Sequence, residues 1–308
     1  MPTAPTLLVT GYKGLRFVQD LAARGVKPRR VVSYRQRGDA SHSFDALAAY
    51  CNKAGITLEE TKHPNLSEDT IAFLVGWQFL LKDHLDRCVV FHDSELPKLR
   101  GFSPTITALL TGANELHVTA IQPADGVDTG PIYGAIKRPA AADITLRDLI
   151  ETQAEMMTDL SVELLKRVDA GTLRAAAQSD RGDTYSLWRD HLDYFVDWRK
   201  AAPDIVRHIR LSGFPYEGAK GVLDGMTLTI EAAQEGPDLD FGNRDPGKFW
   251  QILDGRPLVV CGTGTIWIDS AKTADGRPYA FKKVRARFLT ADTAWIHQAL
   301  QQTQKTPQ

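Results

Sequence analysis

This chain has few of the features that mark disulfide-rich, membrane or nucleic-acid-binding proteins. Its 308 residues include only three cysteines, which are widely separated and odd in number. That spacing excludes a disulfide framework or a zinc knuckle, so we expect reduced, buried thiols and no metal site. The sequence contains no run of 18 apolar residues to span a bilayer and no secretory leader pattern. It therefore predicts a cytoplasmic protein with no membrane partner.

Charge of either sign is not in excess. The chain carries 37 Lys and Arg residues against 38 Asp and Glu residues, for a formal net charge of -1. From Arg181 onward the counts are 17 and 16. Because nucleic-acid binding depends on a clear basic excess, this balance argues against a nucleic-acid partner.

What the chain does have is an alternation of strand and helix patterns, at a length that suits two domains. Short β-prone apolar runs predict strands, and apolar residues at helical spacing predict helices between them. Helices are predicted after Gly14, at 43–54 and at 146–168, and strands at 6–10, 30–34, 56–58, within 70–81, at 88–92 and at 117–122. This alternation indicates an α/β fold with a Rossmann-like, mostly parallel sheet.

The pattern changes near residue 178. A polar run over 178–183 has the composition of a linker, and a helix is predicted at 202–211. Beyond it, short strands are predicted at 226–230, 257–261, 265–268 and 281–284. Several short strands separated by Gly, Asp and Pro indicate a small β-rich barrel or sandwich, and we predict an OB-like barrel. We therefore predict an α/β domain at 1–178 and a C-terminal β-rich domain at 185–308.

The turn Gly11-Tyr12-Lys13-Gly14 resembles a dinucleotide-binding fingerprint only in part. It follows the first strand and opens a helix, but it lacks the full three-glycine spacing and an acidic partner after the second strand. A tight strand-to-helix turn explains these glycines without any nucleotide.

Two polar residues stand where a ligand crevice is expected. His92 ends a buried strand, and the carboxyl ends of strands in an open α/β sheet border that crevice. Asp128 follows the strand at 117–122, in a turn rich in Gly and Asp. If they meet, the carboxylate would hold the imidazole tautomer, and the pair could polarise a carbonyl and shuttle a proton from an amine. From these residues alone, two other interpretations stay open: His92 is a structural histidine, and Asp125 to Asp128 form a solvated loop.

Three motifs bear on that choice. In order and spacing they resemble the folate-dependent formyltransferase family: Gly76-Trp77, His92-x-Ser94-x-Leu96-Pro97-x-x-Arg100-Gly101 and Asp128-Thr129-Gly130. The C-terminal domain of the methionyl-tRNA and aminoarabinose members is similar to Tyr185-Ser186, Val196-Asp197-Trp198, 205–210 and Pro215-Tyr216-x-Gly218-Ala219. The resemblance implies transfer of a formyl group from 10-formyltetrahydrofolate to an amine.

The same resemblance implies roles for individual residues. His92 would donate to the oxyanion, and Asp128 would orient His92 and help to move protons. The formyl donor would be held by a set of rim and loop residues, namely Gly76, Trp77, Gln78, Phe79, Leu81, Val90, Arg100, Gly101, Asp125 and Gly126. For Trp77 and Phe79, a role in the wall or the core is the alternative interpretation.

One position departs from the family pattern. The family normally has an asparagine two residues before the histidine, where this chain has Val90, which cannot donate a hydrogen bond. Losing one oxyanion donor typically costs about 2.7–4 kcal/mol of transition-state stabilisation. Three outcomes stay open: a replacement donor (Asn114, Gln78 or a backbone N–H), a variant acyl reaction, or ligand binding without turnover. Asp93 and Glu95 also flank the histidine, either close to the imidazole or exposed on the loop.

These motifs do not define the amine that accepts the formyl group. A small-molecule amine such as a nucleotide-linked amino sugar suits the architecture, with a hydroxylated ornithine or methionyl-tRNA as alternatives. Lys283, Arg285 and Arg287 would share one face of the last predicted strand, where they either meet a phosphate or form a solvated edge. Family members with this layout can pair, so a homodimer is compatible with the sequence.

Overall fold

The computed structural model describes residues 2–36, 41–81, 83–179 and 181–290, and the chain divides into two compact units. The first unit comprises Met1–Ala142 and Arg147–Trp188, and the second comprises Asp143–Leu146 and the residues from Arg189 onward. The first unit therefore continues past the predicted boundary at 178. The reason is a strand pairing, because Tyr185 and Ser186 lie alongside Arg100 and Gly101. The end of the predicted second domain, 291–308, lies outside the described residues.

The first unit combines one main sheet with helices and a small two-stranded pairing. Its helices are α1 (Gly11–Ala23), α2 (Ser43–Ala54), α3 (Pro104–Leu110) and α4 (Leu146–Asp169). Its strands are β1 (Thr6–Val9), β2 (Arg30–Ser33), β3 (Leu58–Glu60), β4 (Ala72–Val75), β5 (Cys88–His92), β6 (Arg100–Gly101), β7 (Glu115–Ile121), β8 (Ile132–Pro139) and β9 (Tyr185–Ser186).

The main sheet has seven strands in the order β3-β2-β1-β4-β5-β7-β8. The pairings from β3 to β5 are parallel, whereas β7 runs antiparallel to both β5 and β8. The predicted mostly parallel, Rossmann-like sheet is confirmed. All residues of β1 and β4 are buried, as expected for central strands covered on both faces.

The described residues of the second unit form an antiparallel sheet with one α-helix, so the predicted β-rich character is confirmed. It contains α5 (Ala202–Leu211), β10 (Ala219–Leu223), β11 (Met226–Glu235), β12 (Phe249–Leu253), β13 (Arg256–Val260), β14 (Thr265–Lys272) and β15 (Phe288–Leu289). The sheet order is β12-β13-β14-β11-β10-β15. A bridge between Lys248 and Arg287 joins the ends of this order, so the sheet closes on itself.

The strand predicted at 281–284 is wrong. Phe281 is buried and its ring lies 5.9 Å from that of Phe249, but residues 281–284 form no strand, and the next strand is β15. The hydrophobic signal came from one anchored side chain and not from a pleated segment. Without a strand there is no shared face, and Lys283 and Arg287 instead pair with Asp224 and Asp245 at 3.6 and 2.9 Å.

The three cysteines are buried thiols, in agreement with the sequence. Burial raises the pKa of Cys51 to about 11 and those of Cys88 and Cys261 to about 12, which suppresses the reactive thiolate. None of the described helices is both long and apolar enough to cross a membrane.

His208 on α5 should make the stability of the protein depend on pH. Its Nε2 lies 3.2 Å from the carbonyl oxygen of Tyr194, and burial lowers its pKa to about 4. An unfolded histidine titrates near 6.5, so the unfolded chain binds more protons between these values. The free energy of unfolding should therefore fall as the pH drops from about 6.5 towards 4, by on the order of 2 kcal/mol.

Urea unfolding at pH 7 and pH 4.5 would measure this dependence. His208→Gln keeps a donor for Tyr194 but cannot take up a proton, so it should lose less stability on acidification than the wild type. His191→Gln, at an exposed histidine in the same unit, is the matched control. An equal loss in the wild type and His208→Gln would contradict the prediction.

Candidate active site

His92 is positioned by the end of β5. Its neighbour Phe91 packs between Phe17 and Phe73, with ring centroids 5.8 and 5.6 Å away. Because side chains alternate along a strand, His92 and Val90 point to the opposite face of the sheet. His92 is only 6% exposed, so any proton it exchanges must pass within a confined site.

The structure brings His92 and Asp128 together. Nδ1 of His92 lies 3.4 Å from Oδ2 of Asp128, and Nε2 lies 2.9 Å from the carbonyl oxygen of Leu99. A carbonyl oxygen only accepts hydrogen bonds, so Nε2 carries a proton in this arrangement. The ring is thus flanked by two acceptors, and a second proton on Nδ1 would be directed at the carboxylate.

Asp128 reaches His92 by a route that differs from the one the sequence suggested. β7 is antiparallel to β5, so its carboxyl end pairs at Val90 and not at His92. The carboxylate is instead delivered by the loop of the β7–β8 hairpin, where Asp128 adopts a φ of 51°. The backbone N–H of Gly101 donates to its Oδ2 at 2.9 Å. The last residue of β6 and the hairpin loop therefore position the carboxylate jointly.

Gln178 holds this loop, and sequence reasoning missed it. Its amide nitrogen donates to the carbonyl oxygens of Asp128 and Gly130 at 2.8 and 2.6 Å. Its amide oxygen accepts from a guanidinium nitrogen of Arg100 at 2.9 Å. Gln178 lies in the polar run that was assigned to a linker, where no hydrophobic pattern distinguishes a buried contact from a solvated one.

Two residues predicted to bind the formyl donor have other partners. Arg100 is 3% exposed, binds Gln178 and lies 3.6 Å from a carboxylate oxygen of Asp183. Gly101 uses its N–H on Asp128, as described above. These contacts show that both residues support the His92–Asp128 pair. Their part in binding the formyl donor stays a prediction.

The segment from Gly76 to Leu81 follows β4 and borders the site. The β4–β5 register pairs Leu74 with Val90, which brings Gly76 level with His92. The Gly76 carbonyl accepts a hydrogen bond from the Thr10 hydroxyl at 2.6 Å. Trp77, Leu81 and Val90 pack as half-buried side chains on one apolar cluster. The indole N–H of Trp77 is buried and has no hydrogen-bond partner among the described residues.

The remaining predicted ligands are more exposed. Gln78 is exposed, and Phe79 is half-buried with its ring 4.9 Å from that of Tyr34. Asp125 and Gly126 lie at the exposed tip of the hairpin loop. Their part in binding stays a prediction.

Asn114 cannot replace the missing asparagine. His92 pairs with Thr119 on β7, and Asn114 lies five residues before Thr119. At about 3.4 Å per residue, that separation is about 17 Å along the strand. Gln78 and backbone N–H groups stay as candidates for the second donor.

The acidic neighbours of His92 are paired with lysines. The Asp93 carboxylate accepts from Lys13, and the Glu95 carboxylate accepts from Lys98 at 3.0 Å. The Lys98 hydrogen bond lowers the pKa of Glu95. Of the two alternatives for these carboxylates, Glu95 is exposed on the loop, whereas Asp93 is mostly buried.

Comparison with known proteins extends this picture. Residues 74–165 match the family described as "Formyl transferase", and residues 190–288 match "Formyl transferase, C-terminal domain". A methionyl-tRNA formyltransferase of Mesorhizobium japonicum is 32% identical over 220 residues, covering 68% of each chain. That of Sorangium cellulosum is 31% identical over 196 residues, and the match covers 63% of this chain and 62% of that protein.

Solved structures agree at the level of the fold. WlaRD, a sugar 3N-formyl transferase crystallised with dTDP and 5-N-formyl-THF, superposes with a TM-score of 0.64 at 16% identity, covering 89% of this chain and 99% of that one. An N-formyltransferase from Helicobacter canadensis, in complex with folinic acid and dTDP-3-aminofucose, gives 0.61 at 17% identity, with coverages of 90% and 100%.

The mostly parallel sheet with a His–Asp pair at its rim defines an α/β protein with a candidate catalytic site. Together with the family matches, this shows that the chain belongs to the formyltransferase family, whose members transfer formyl groups.

Gly130 should be indispensable for the placement of Asp128. A Cβ at this position would lie 1.6 Å from the carbonyl oxygen of Gln122, so the base of the loop would have to move. We expect Gly130→Ala to break the bond between Asp128 and the Gly101 N–H. Amide hydrogen exchange at Gly101 should accelerate by at least about tenfold.

The matched control is Gly242→Ala, because a Cβ there meets nothing within 4 Å. It should leave exchange at Gly101 unchanged. Unaltered protection in Gly130→Ala would show that the loop does not hold Asp128 in this way.

Proposed function

We propose that this protein is an N-formyltransferase that moves the formyl group of 10-formyltetrahydrofolate to the amine of a small molecule, such as a nucleotide-linked amino sugar. The observation that carries the proposal is the contact between His92 and Asp128 at the rim of the sheet. A confined imidazole next to a fixed carboxylate suits a reaction in which an amine loses a proton while a carbonyl oxygen gains negative charge.

In this mechanism the imidazole supplies hydrogen bonding and Asp128 sets its orientation. The imidazole of His92 would rotate so that its Nε2–H donates to the formyl oxygen in place of the Leu99 carbonyl oxygen. At the same time the amine nitrogen of the substrate would add to the formyl carbon. Asp128, held by the Gly101 N–H, would favour movement of the proton lost by the amine towards the His92–Asp128 pair. The same proton is then available for the nitrogen that leaves the formyl carbon, so the proton balance of the transfer is zero.

The rim segment fits a folate donor in its chemistry. Trp77, Leu81 and Val90 offer an apolar wall for a flat ring system, and Trp77 adds a buried N–H without a partner among the described residues. Acceptor atoms on a pterin ring could satisfy such a donor, since an unpaired buried polar group is unfavourable. The folate ligands bound by the two fold neighbours, 5-N-formyl-THF and folinic acid, support the choice of donor.

The proposal also covers the kind of amine that accepts the formyl group. A sugar nucleotide is supported by the bound ligands named for WlaRD and the Helicobacter canadensis enzyme. Methionyl-tRNA is the second candidate, because the curated relatives carry that name. The even charge balance from Arg181 onward, 17 against 16, disfavours the RNA. A cytoplasmic location and a homodimer stay predictions.

His92→Ala and Asp128→Asn should each abolish transfer, with losses of at least about a hundredfold in kcat, because the proton-transfer pair is broken. Release of tetrahydrofolate can be followed by absorbance, with the protein, 10-formyltetrahydrofolate and a panel of amino-sugar nucleotides, hydroxyornithine and methionyl-tRNA. His191→Ala, at an exposed histidine of the second unit, should keep full activity. Near-normal turnover in either site variant would show that the site is assigned wrongly.

Val90→Asn tests the departure from the family pattern. If an amide donor is missing, adding one beside His92 should raise kcat by at least about tenfold, since one such donor is worth about 10²–10³ in rate. Val90→Leu keeps an apolar side chain and should bring no gain. Folate binding without acceleration in Val90→Asn would point to a different acyl chemistry or to a binding role.

A further inference from the structure

A ring of polar side chains lies behind the strand end that carries His92. Its members come from four elements of the first unit: Lys13 on α1, Asp93 directly after β5, Thr105 on α3 and Gln153 on α4. Gln153 is fully buried and Thr105 is 6% exposed. Polar groups at such depth are retained only with well-placed partners, because an unpaired one is costly.

The hydrogen bonds between these four residues form a closed circuit. Lys13 donates to the Asp93 carboxylate and, at 2.9 Å, to the side-chain oxygen of Gln153. The Gln153 amide donates to the Thr105 hydroxyl at 2.6 Å, and that hydroxyl donates to the Asp93 carbonyl oxygen at 2.8 Å. Both the side chain and the backbone of Asp93 are therefore held. A residue tied in this way limits the movement of the imidazole that precedes it.

The β1–α1 turn, which leads into Lys13, also holds the other side of the site. Thr10, three residues before Lys13, donates to the Gly76 carbonyl at the start of the proposed donor-binding segment. The β1–α1 turn thus links Gly76 through Thr10 and the His92 strand end through Lys13. This provides a function for the turn that resembled a nucleotide fingerprint only in part.

We infer that Lys13 and Asp93 are positioning residues, which hold the strand end of His92 in register with the Gly76 segment for formyl transfer. This inference rests on the proposed function. Neither residue needs to contact substrate: Asp93 shares the strand face of Phe91, opposite to His92. Loss of the pair should therefore lower kcat and leave donor binding largely intact.

The test compares Lys13→Met, Asp93→Asn and the double variant, which removes both charges and leaves no buried charge unpaired. For each single variant we expect kcat to fall by about 10- to 100-fold, as for a small misplacement of a catalytic group. The KM for 10-formyltetrahydrofolate should stay within about twofold. The double variant should be no slower than the slower single variant, because the two residues act as one pair.

A second readout does not depend on turnover. Imidazole signals of His92, assigned by their absence in His92→Ala, should shift or broaden in the NMR spectrum of Lys13→Met. Arg138→Met is the matched control, since it breaks a partly buried ion pair with Asp159 (2.6 Å) that does not touch β5. It should leave both kcat and the His92 signals unchanged.

The outcomes separate the two proposals. Unchanged kcat and unchanged His92 signals in Lys13→Met would overturn the positioning role. Equal changes in Lys13→Met and Arg138→Met would also overturn it, because they would reflect general loss of stability. If the wild type transfers no formyl group but the His92 signals respond to Lys13→Met, the proposed function fails while the positioning contact stands.

Discussion

The Asp128 carboxylate is the point on which the candidate site depends, because three segments distant in sequence meet there. One of its oxygens lies 3.4 Å from the imidazole of His92 and accepts the Gly101 N–H at 2.9 Å. The backbone carbonyl oxygen of Asp128 accepts a hydrogen bond from the Gln178 side-chain amide at 2.8 Å. The main sheet supplies only the histidine, whereas a hairpin loop supplies the carboxylate, and strand β6 and Gln178 hold that loop and its carboxylate in place.

The turn that follows His92 is built mainly from side-chain to backbone hydrogen bonds. The Ser94 hydroxyl donates to the Lys98 carbonyl and the Thr119 hydroxyl donates to the Ser94 carbonyl, both at 2.6 Å. These bonds compensate for a conformation that is costly by itself, since Leu99 adopts a φ of 56°. Buried polar networks of this kind specify one geometry, which is what proton transfer requires.

Hydrophobic periodicity was sufficient to predict the central strands and the long helices. It did not predict elements that are buried on one face only or that contain few residues. β8 alternates between half-buried and exposed positions at the sheet edge and begins beside Pro131, so the hydrophobic pattern did not predict it. The short helix α3 and strands β10 and β12 were missed, because few of their residues carry a repeating pattern.

The candidate site divides in the same way. His92 and Asp128 could be found because motifs carry them, whereas their supports could not. Gln178 and Lys13 act through single polar contacts between residues far apart in sequence, and one sequence contains no signal for such pairs. The antiparallel direction of β7 was also not predictable from its composition, so the path by which Asp128 reaches His92 came only from the structure.

The short pairing of β6 with β9 has a consequence for how this enzyme can be divided. The Leu99 N–H donates to the Thr184 hydroxyl at 2.9 Å, and the Phe102 N–H donates to the Ser186 carbonyl at 3.1 Å. A fragment that stops at residue 178 would discard these anchors while keeping every motif residue of the catalytic constellation. The first compact unit includes these anchors and runs to Trp188. A junction for the exchange of C-terminal domains between relatives would therefore have to lie after Trp188 to keep them.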